Sequence, residues 1–280
     1  MMPLKWINKL YNLKINNNIL IGMFGDPNQC NPVESDFSRF FDYMNKKAFR
    51  ELGDNNLIIK KYIPECCRYD DTLYKVICYL MNNKRLPPPD ILKQHLGVEY
   101  KMYDPKVIYS VVLKNKTRWM ETDRIINGVK KYRHDIKIYD DYFFVNLKVI
   151  SNINIKGLIY RSRFYYIVQI NYKIINKKTI TYYELSEEKG GEPIKDNEGK
   201  PFQFRNIRNK NHPNSLTERF SCFDPALSIT CYKYQSDTID IPFNIFDIKK
   251  MNYNQIFTTI SRATKFENFT LRTYILVLLE

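Results

Sequence analysis

The chain has 280 residues, enough for one large core or two modest ones, and carries 44 Lys and Arg against 30 Asp and Glu, a formal charge of +14 with 15% aromatic residues. That balance favours a polyanionic partner, because cations neutralise phosphates while aromatic rings give bases a surface to stack on. The opening "MMPLKWINKL" and the late "YILVLL" do not provide a signal peptide or a bilayer-spanning stretch.

Taken in chain order, "NILIGMF" (18–24) is a nearly continuous apolar run that suits a central parallel strand covered on both faces. It stops at "GDPNQC", a corner whose local reading is a turn with Pro27 at its second position. Ser35 or Asp36 then caps a helix with Phe37, Phe40, Phe41, Met44, Ala48 and Leu52 at helical spacing, ended by Gly53, and "NLIIKKY" reads as another strand. Asp70 or Asp71 opens a helix with Leu73, Val76, Ile77 and Leu80 on one face, and the run Pro87-Pro88-Pro89 closes that region. "KVIYSVVL" (106–113) predicts a strand, and "KNKTRWMETDRIING" a turn followed by a helix. Strand alternating with helix specifies an α/β, doubly wound architecture.

From about Asp140 to Asn214 the pattern changes to alternating aromatic or aliphatic and polar residues with glycine turns, which predicts a small antiparallel β unit inserted into the α/β domain. Within it, Tyr160, Phe164, Tyr165 and Tyr166 read as core or cross-strand packing, with base stacking the alternative. The α/β pattern then resumes with "ALSITCYKYQSDTID", the short strand "PFNIFDI", a helix across "NYNQIFTTISRAT" and a last strand "NFTLRTYILVLL". The six cysteines lack the spacing of a disulfide framework or a CxxC pair, so reduced thiols in a cytosolic or nuclear compartment are expected, and no metal site.

In open parallel sheets, ligands gather beyond the carboxyl ends of strands, and Asp26 and Gln29 stand at such an end. "GDPNQCNPVE" resembles the third motif of superfamily 1 helicases, Gly-Asp-x-x-Gln, which senses the terminal phosphate of ATP; its residues here are Gly25, Asp26 and Gln29. "ECCRYDDTLYKVICYL" resembles the fourth motif, with Arg68 as its arginine. "LKNKTRW" is similar to the segment these enzymes place against a single strand, with Asn115, Thr117 and Arg118 in contact. "SITCYKYQSDTID" resembles the fifth motif, which implies strand contacts from Thr230, Tyr232, Lys233 and Thr238 and coupling through Gln235 and Ser236. "FTTISRATKFENF" resembles the sixth, whose arginine is Arg262. The matches keep family order, and the β insertion before the fifth points to the RecD-like group, which moves 5′ to 3′ in DNA replication, recombination or repair.

The resemblance implies a RecA-like parallel sheet with helices on both faces plus the antiparallel insertion. Residues 1–63 would be the end of a first RecA-like domain, 64–139 and 215–280 the two parts of a second, and 140–214 the inserted unit. It implies ATP and Mg2+ as cofactors and a single DNA strand as partner, with RNA an open alternative. Gln29, Arg68 and Arg262 are the catalytic candidates; permanently charged guanidinium groups stabilise the γ-phosphoryl transition state, an effect of roughly three to five powers of ten in rate. The plain alternative for Arg262 is a helix-end cation worth about 0.3 to 1 kcal/mol. The sequence departs from the family where its nine glycines never build GxxxxGK[ST], and Tyr232 and Ser236 replace the usual His and Gly. This predicts a fragment, inactive in turnover by itself, whose phosphate loop and magnesium-binding acids lie on an N-terminal part either encoded upstream or supplied by a second polypeptide. A non-catalytic single-strand-binding module is the alternative, and a β-rich structural adaptor is a third.

Overall fold

The computed structural model describes residues 68–175, 177–208, 219–234 and 238–272. The expected elements before Arg68, including the third-motif turn, lie outside the described residues. In chain order the helices are α1 (Asp71–Asn83), α2 (Pro89–Leu96), α3 (Asn115–Tyr132) and α4 (Tyr253–Ile260). The strands are β1 (Lys101–Met102), β2 (Ser110–Val112), β3 (Lys148–Ser151), β4 (Phe164–Ile175), β5 (Lys178–Ser186), β6 (Gln203–Phe204), β7 (Phe223–Pro225), β8 (Ser228–Thr230), β9 (Phe243–Ile245) and β10 (Phe269–Leu271). The described residues divide into two compact units: 68–100, 234, 238–241 and 250–269 belong to the first, and 101–175, 177–208, 219–233, 242–249 and 270–272 to the second.

In the first unit α1 starts where Asp70, in extended backbone, accepts the Leu73 amide at 2.7 Å, and it ends where Lys84 turns left-handed at φ 58°. Its apolar spacing buries Leu73, Val76, Ile77 and Leu80, the face the sequence predicts. The second carboxylate oxygen of Asp70 accepts the Phe266 amide at 3.1 Å, tying the helix start to a segment distant in sequence. The three prolines do not close the region: Pro89 occupies the first turn of α2, where a missing amide costs nothing and a fixed φ helps. A capping box opens α4, with Asn252 accepting the Gln255 amide at 3.0 Å and Gln255 accepting the Asn252 amide at 2.9 Å.

The second unit holds both sheets. One has strand order β1-β10-β9-β2-β8; β1 pairs parallel with β10, and β2 with both β8 and β9, in the register Val112↔Thr230 and Val111↔Ile245. Helix α3 packs against β2 and β8. The other is antiparallel, with order β6-β5-β4-β3-β7. Fold class is therefore the α/β, RecA-like parallel sheet with helices plus an antiparallel β unit that the sequence predicts. The antiparallel sheet reaches past Asn214, since β7 pairs with β3 and only Ala226 and Leu227 separate it from β8 of the parallel sheet. The apolar core of the antiparallel part centres on Phe143, whose ring meets Phe220, Tyr183 and Phe223 edge-on at 4.8, 5.2 and 5.5 Å. Tyr165 lies fully buried in that core, whereas Tyr160 is largely exposed.

Candidate functional site

The predicted residues that are described fall into two clusters, one in each unit. In the first unit, Arg68 precedes the Asp70 cap and is exposed. Its Nη1 donates to the Ser261 carbonyl at 3.3 Å and its Nη2 to the Thr238 hydroxyl. Tyr69 also donates its hydroxyl to the Ser261 carbonyl, at 3.4 Å. Ser261 follows the last residue of α4, and its neighbour Arg262 is 3% exposed. Arg262 donates from Nε to the Thr258 carbonyl at 3.2 Å and from Nη2 to the Ser261 hydroxyl at 3.1 Å. Its own carbonyl accepts the Ile239 amide at 2.8 Å, within a bridge between Ile239 and Ala263.

Two guanidinium groups from distant parts of the chain thus flank one serine. Bonding to Thr258 also satisfies a carbonyl of the last helical turn, so the helix-end role of Arg262 is real alongside any other. Their local bonds hold both forks in place, and a fixed guanidinium suits an oxyanion. Thr238, a strand contact in the motif reading, accepts from Arg68 here.

In the second unit, the parallel pairing of β2 with β8 brings their carboxyl ends side by side, and the Cys231 amide donates to the Val112 carbonyl at 2.9 Å. One end runs directly into α3, so Asn115 and Thr117 are helical and not on a loop. The other turns at Thr230, whose carbonyl accepts the Lys233 amide at 2.9 Å. The start of α3 has no side-chain cap and no acidic residue in its first turn, while Lys114 and Lys116 are exposed there. Amides aimed outward and two ammonium groups make this end receptive to phosphate. Lys114 and Lys116 were legible in "KNKT" but carry their meaning only once the helix is seen to start among them.

Arg118 is corrected. Its side chain is fully buried, pairing through Nη2 with the buried Asp224 carboxylate at 2.9 Å and donating from Nε to the Ser228 carbonyl at 3.2 Å. A guanidinium with no exposed surface, whose charge is matched by an equally buried carboxylate, cannot meet a strand, and its work is to bind α3 to the crossing from β7 to β8. Trp119 lies between two such groups, Arg118 at 4.5 Å and Arg219 at 4.3 Å from its ring, and Arg219 grips Asp123 through both nitrogens at 2.9 and 3.3 Å. Burial pushes the Asp224 carboxyl up, with Arg118 and Lys233 pulling it the other way. Gly25, Asp26, Gln29, Gln235 and Ser236 lie outside the described residues. Among the described residues no helix is long and apolar enough to cross a membrane.

No family model matches the sequence, and no curated protein does. Solved structures do. The Pif1 helicase from Candida albicans is similar over 90% of this chain and 63% of its own, with a TM-score of 0.53 at 14% identity. A Bacteroides Pif1 helicase in complex with ADP-AlF3 and single-stranded DNA matches over 90% of this chain and 62% of its own, with a TM-score of 0.48 at 16% identity. Pif1 helicases from a study of unwinding at forked double-stranded DNA match over 75% and 49%, with a TM-score of 0.44 at 17% identity. This chain therefore spans about half to 63% of the length of these neighbours. The likeness to the Candida protein shows the fold alone, a RecA-like parallel sheet with its flanking helices.

Proposed function

We propose that the chain is the carboxyl-terminal part of an ATP-dependent, superfamily 1 DNA helicase of the RecD-like group, translocating along a single strand from 5′ to 3′ in DNA replication, recombination or repair. Residues 1–63 would complete a first RecA-like domain; 64–139 and 215–280 form the second, and 140–214 the insertion. The observation that carries this reading is the meeting of Arg68 and Arg262 at Ser261 in the first unit, for two motif arginines separated by nearly two hundred residues need not have met at all. In the second unit, the adjoining ends of β2 and β8 support strand contacts from Asn115, Thr117, Thr230, Tyr232 and Lys233, which hold a backbone without reading sequence.

ATP with Mg2+ would supply the phosphoryl group whose transfer drives movement. The residues of this chain fit the triphosphate end of the nucleotide. Arg262, held by Thr258 and Ser261, and Arg68, beside Thr238, would face developing negative charge, while Gln29 orders the attacking water and Gly25, Asp26, Gln235 and Ser236 couple the nucleotide to the strand. The sequence contains no GxxxxGK[ST], so turnover by this chain alone is expected to be nil, and on this reading a P-loop-bearing N-terminal half, encoded upstream or supplied by a second polypeptide, completes the enzyme. That same feature supports the second reading, a single-stranded nucleic-acid-binding module without turnover.

The test is strand-stimulated ATP hydrolysis by the chain alone and joined to a P-loop-bearing half. The joined protein should turn over, and Arg262→Ala or Arg68→Ala should lower its rate by roughly three powers of ten. A joined protein that binds strand and nucleotide but hydrolyses nothing selects the non-catalytic module. Full activity in both arginine variants would remove the motor assignment.

A further inference from the structure

Strands β4 and β5 are much longer than their neighbours. β3 pairs with β4 only at residues 164–166, and β6 with β5 only at residues 183–184. Residues 171–175 and 178–182 pair only with each other among the described residues, forming a two-stranded ribbon that projects ~17 Å beyond the sheet. Isolated two-stranded ribbons are marginal, and such projections normally shed large apolar side chains. This one keeps Tyr172 at 60% and Ile174 at 74% exposure.

Paired residues share a face, so the register Tyr172↔Thr181 and Ile174↔Thr179 sets a ring, an aliphatic side chain and two hydroxyls on one side. Lys137 stands over the Tyr172 ring at 5.9 Å, and Lys177 and Lys178 are exposed at the tip. The face runs into a cleft of about 330 Å³ lined by Thr179, Thr181, Arg205 and Arg208, together with Asp140 and Asp141. Those two acids are engaged within the protein: Asp140 accepts from the Tyr183 hydroxyl at 2.5 Å and from the Thr181 hydroxyl at 3.2 Å, and Asp141 pairs with Lys130 at 3.3 Å. From Tyr142 to Tyr183 the sequence contains no Asp or Glu and seven Lys or Arg. Its charge is entirely of one sign.

We propose that this ribbon face and the cleft beside it form a second binding surface for single-stranded nucleic acid, with an unpaired base stacked on Tyr172 and phosphates held by Lys177, Lys178, Arg205 and Arg208. Stacking on an exposed ring requires bases released from a duplex, which selects the single strand over the double. The surface is separate from the β2 and β8 end but rests on the same strand-binding function proposed for that end.

Fluorescence anisotropy of the full chain with a labelled oligothymidylate tests it. Tyr172→Ala should weaken binding roughly tenfold, with Tyr172→Phe near parental affinity. The pair Lys177→Ala and Lys178→Ala should reduce the log-log salt slope by about 1.4, two contacts at ~0.7 each. Lys116→Ala with Thr117→Val, at the start of α3, separates the two surfaces. If those changes weaken binding and the ribbon changes do not, the second surface is wrong and the first stands; the reverse removes the first alone. Equal loss of duplex and single-strand binding in Tyr172→Ala would overturn the single-strand assignment. An unchanged affinity accompanied by loss of a dimer in Ile174→Ser would show the tip to be a contact between copies.

Discussion

Arg118 shows what a residue's type and spacing leave unsaid. Its place in "NKTRW" matches a strand contact, but burial is a property of the fold, and here the helix turns the guanidinium inward to Asp224 and Ser228. Removing one partner of a fully desolvated pair leaves the other charge stranded, so Arg118→Met should destabilise the second unit by about 3 to 5 kcal/mol, measured by urea denaturation. Replacing Asp224 with leucine in the same chain should recover only part of that loss, because the desolvation cost of both charges disappears together while the Arg219 and Phe220 amides lose the oxygen that accepts them. If the single variant retains full stability and loses only strand affinity, Arg118 is a contact residue after all. Arg262 is the opposite case: its motif and its position at the end of α4 were both legible, and only the structure shows that Arg68 shares Ser261 with it.

At the level of elements, legibility follows how local the determinants are. The buried face of α1 could be read position by position because four apolar residues at helical spacing and an Asp cap are all local signals. "KVIYSVVL" promised eight strand residues and yields three in β2, since the buried Asn244 donates to the carbonyls of Asp104 at 3.0 Å and Val107 at 3.4 Å and holds the approach to the strand as a turn. That competitor is some 140 residues away, beyond any local pattern. The capping box of α4 is local again, and it sets the helix that delivers Ser261 and Arg262. Asn252→Ala should cost about 1 kcal/mol in thermal or urea unfolding, and Asn252→Asp should restore most of it. An equal loss in both variants would mean that the side chain acts by something other than capping.

Across the whole molecule, phenols withdrawn from water make stability depend on alkaline pH. Burial raises the phenols of Tyr100 and Tyr183, the latter also through its hydrogen bond to Asp140, and pushes Tyr109 up to about 12, with neighbouring Tyr166 adding to the effect. A phenol free in the unfolded chain releases its proton near pH ~10. Above that value the native state binds more protons than the unfolded one, so stability must fall as pH rises. The contribution is fully present below pH ~10; for Tyr109 it declines by about 1.4 kcal/mol per pH unit until its own folded value is passed. Urea midpoints measured from pH ~8 to ~12 should stay level and then drop, and Tyr183→Phe should make the drop shallower because one of the groups that drives it no longer titrates. The same steepness in parent and variant would show that Tyr183 ionises as freely in the fold as outside it.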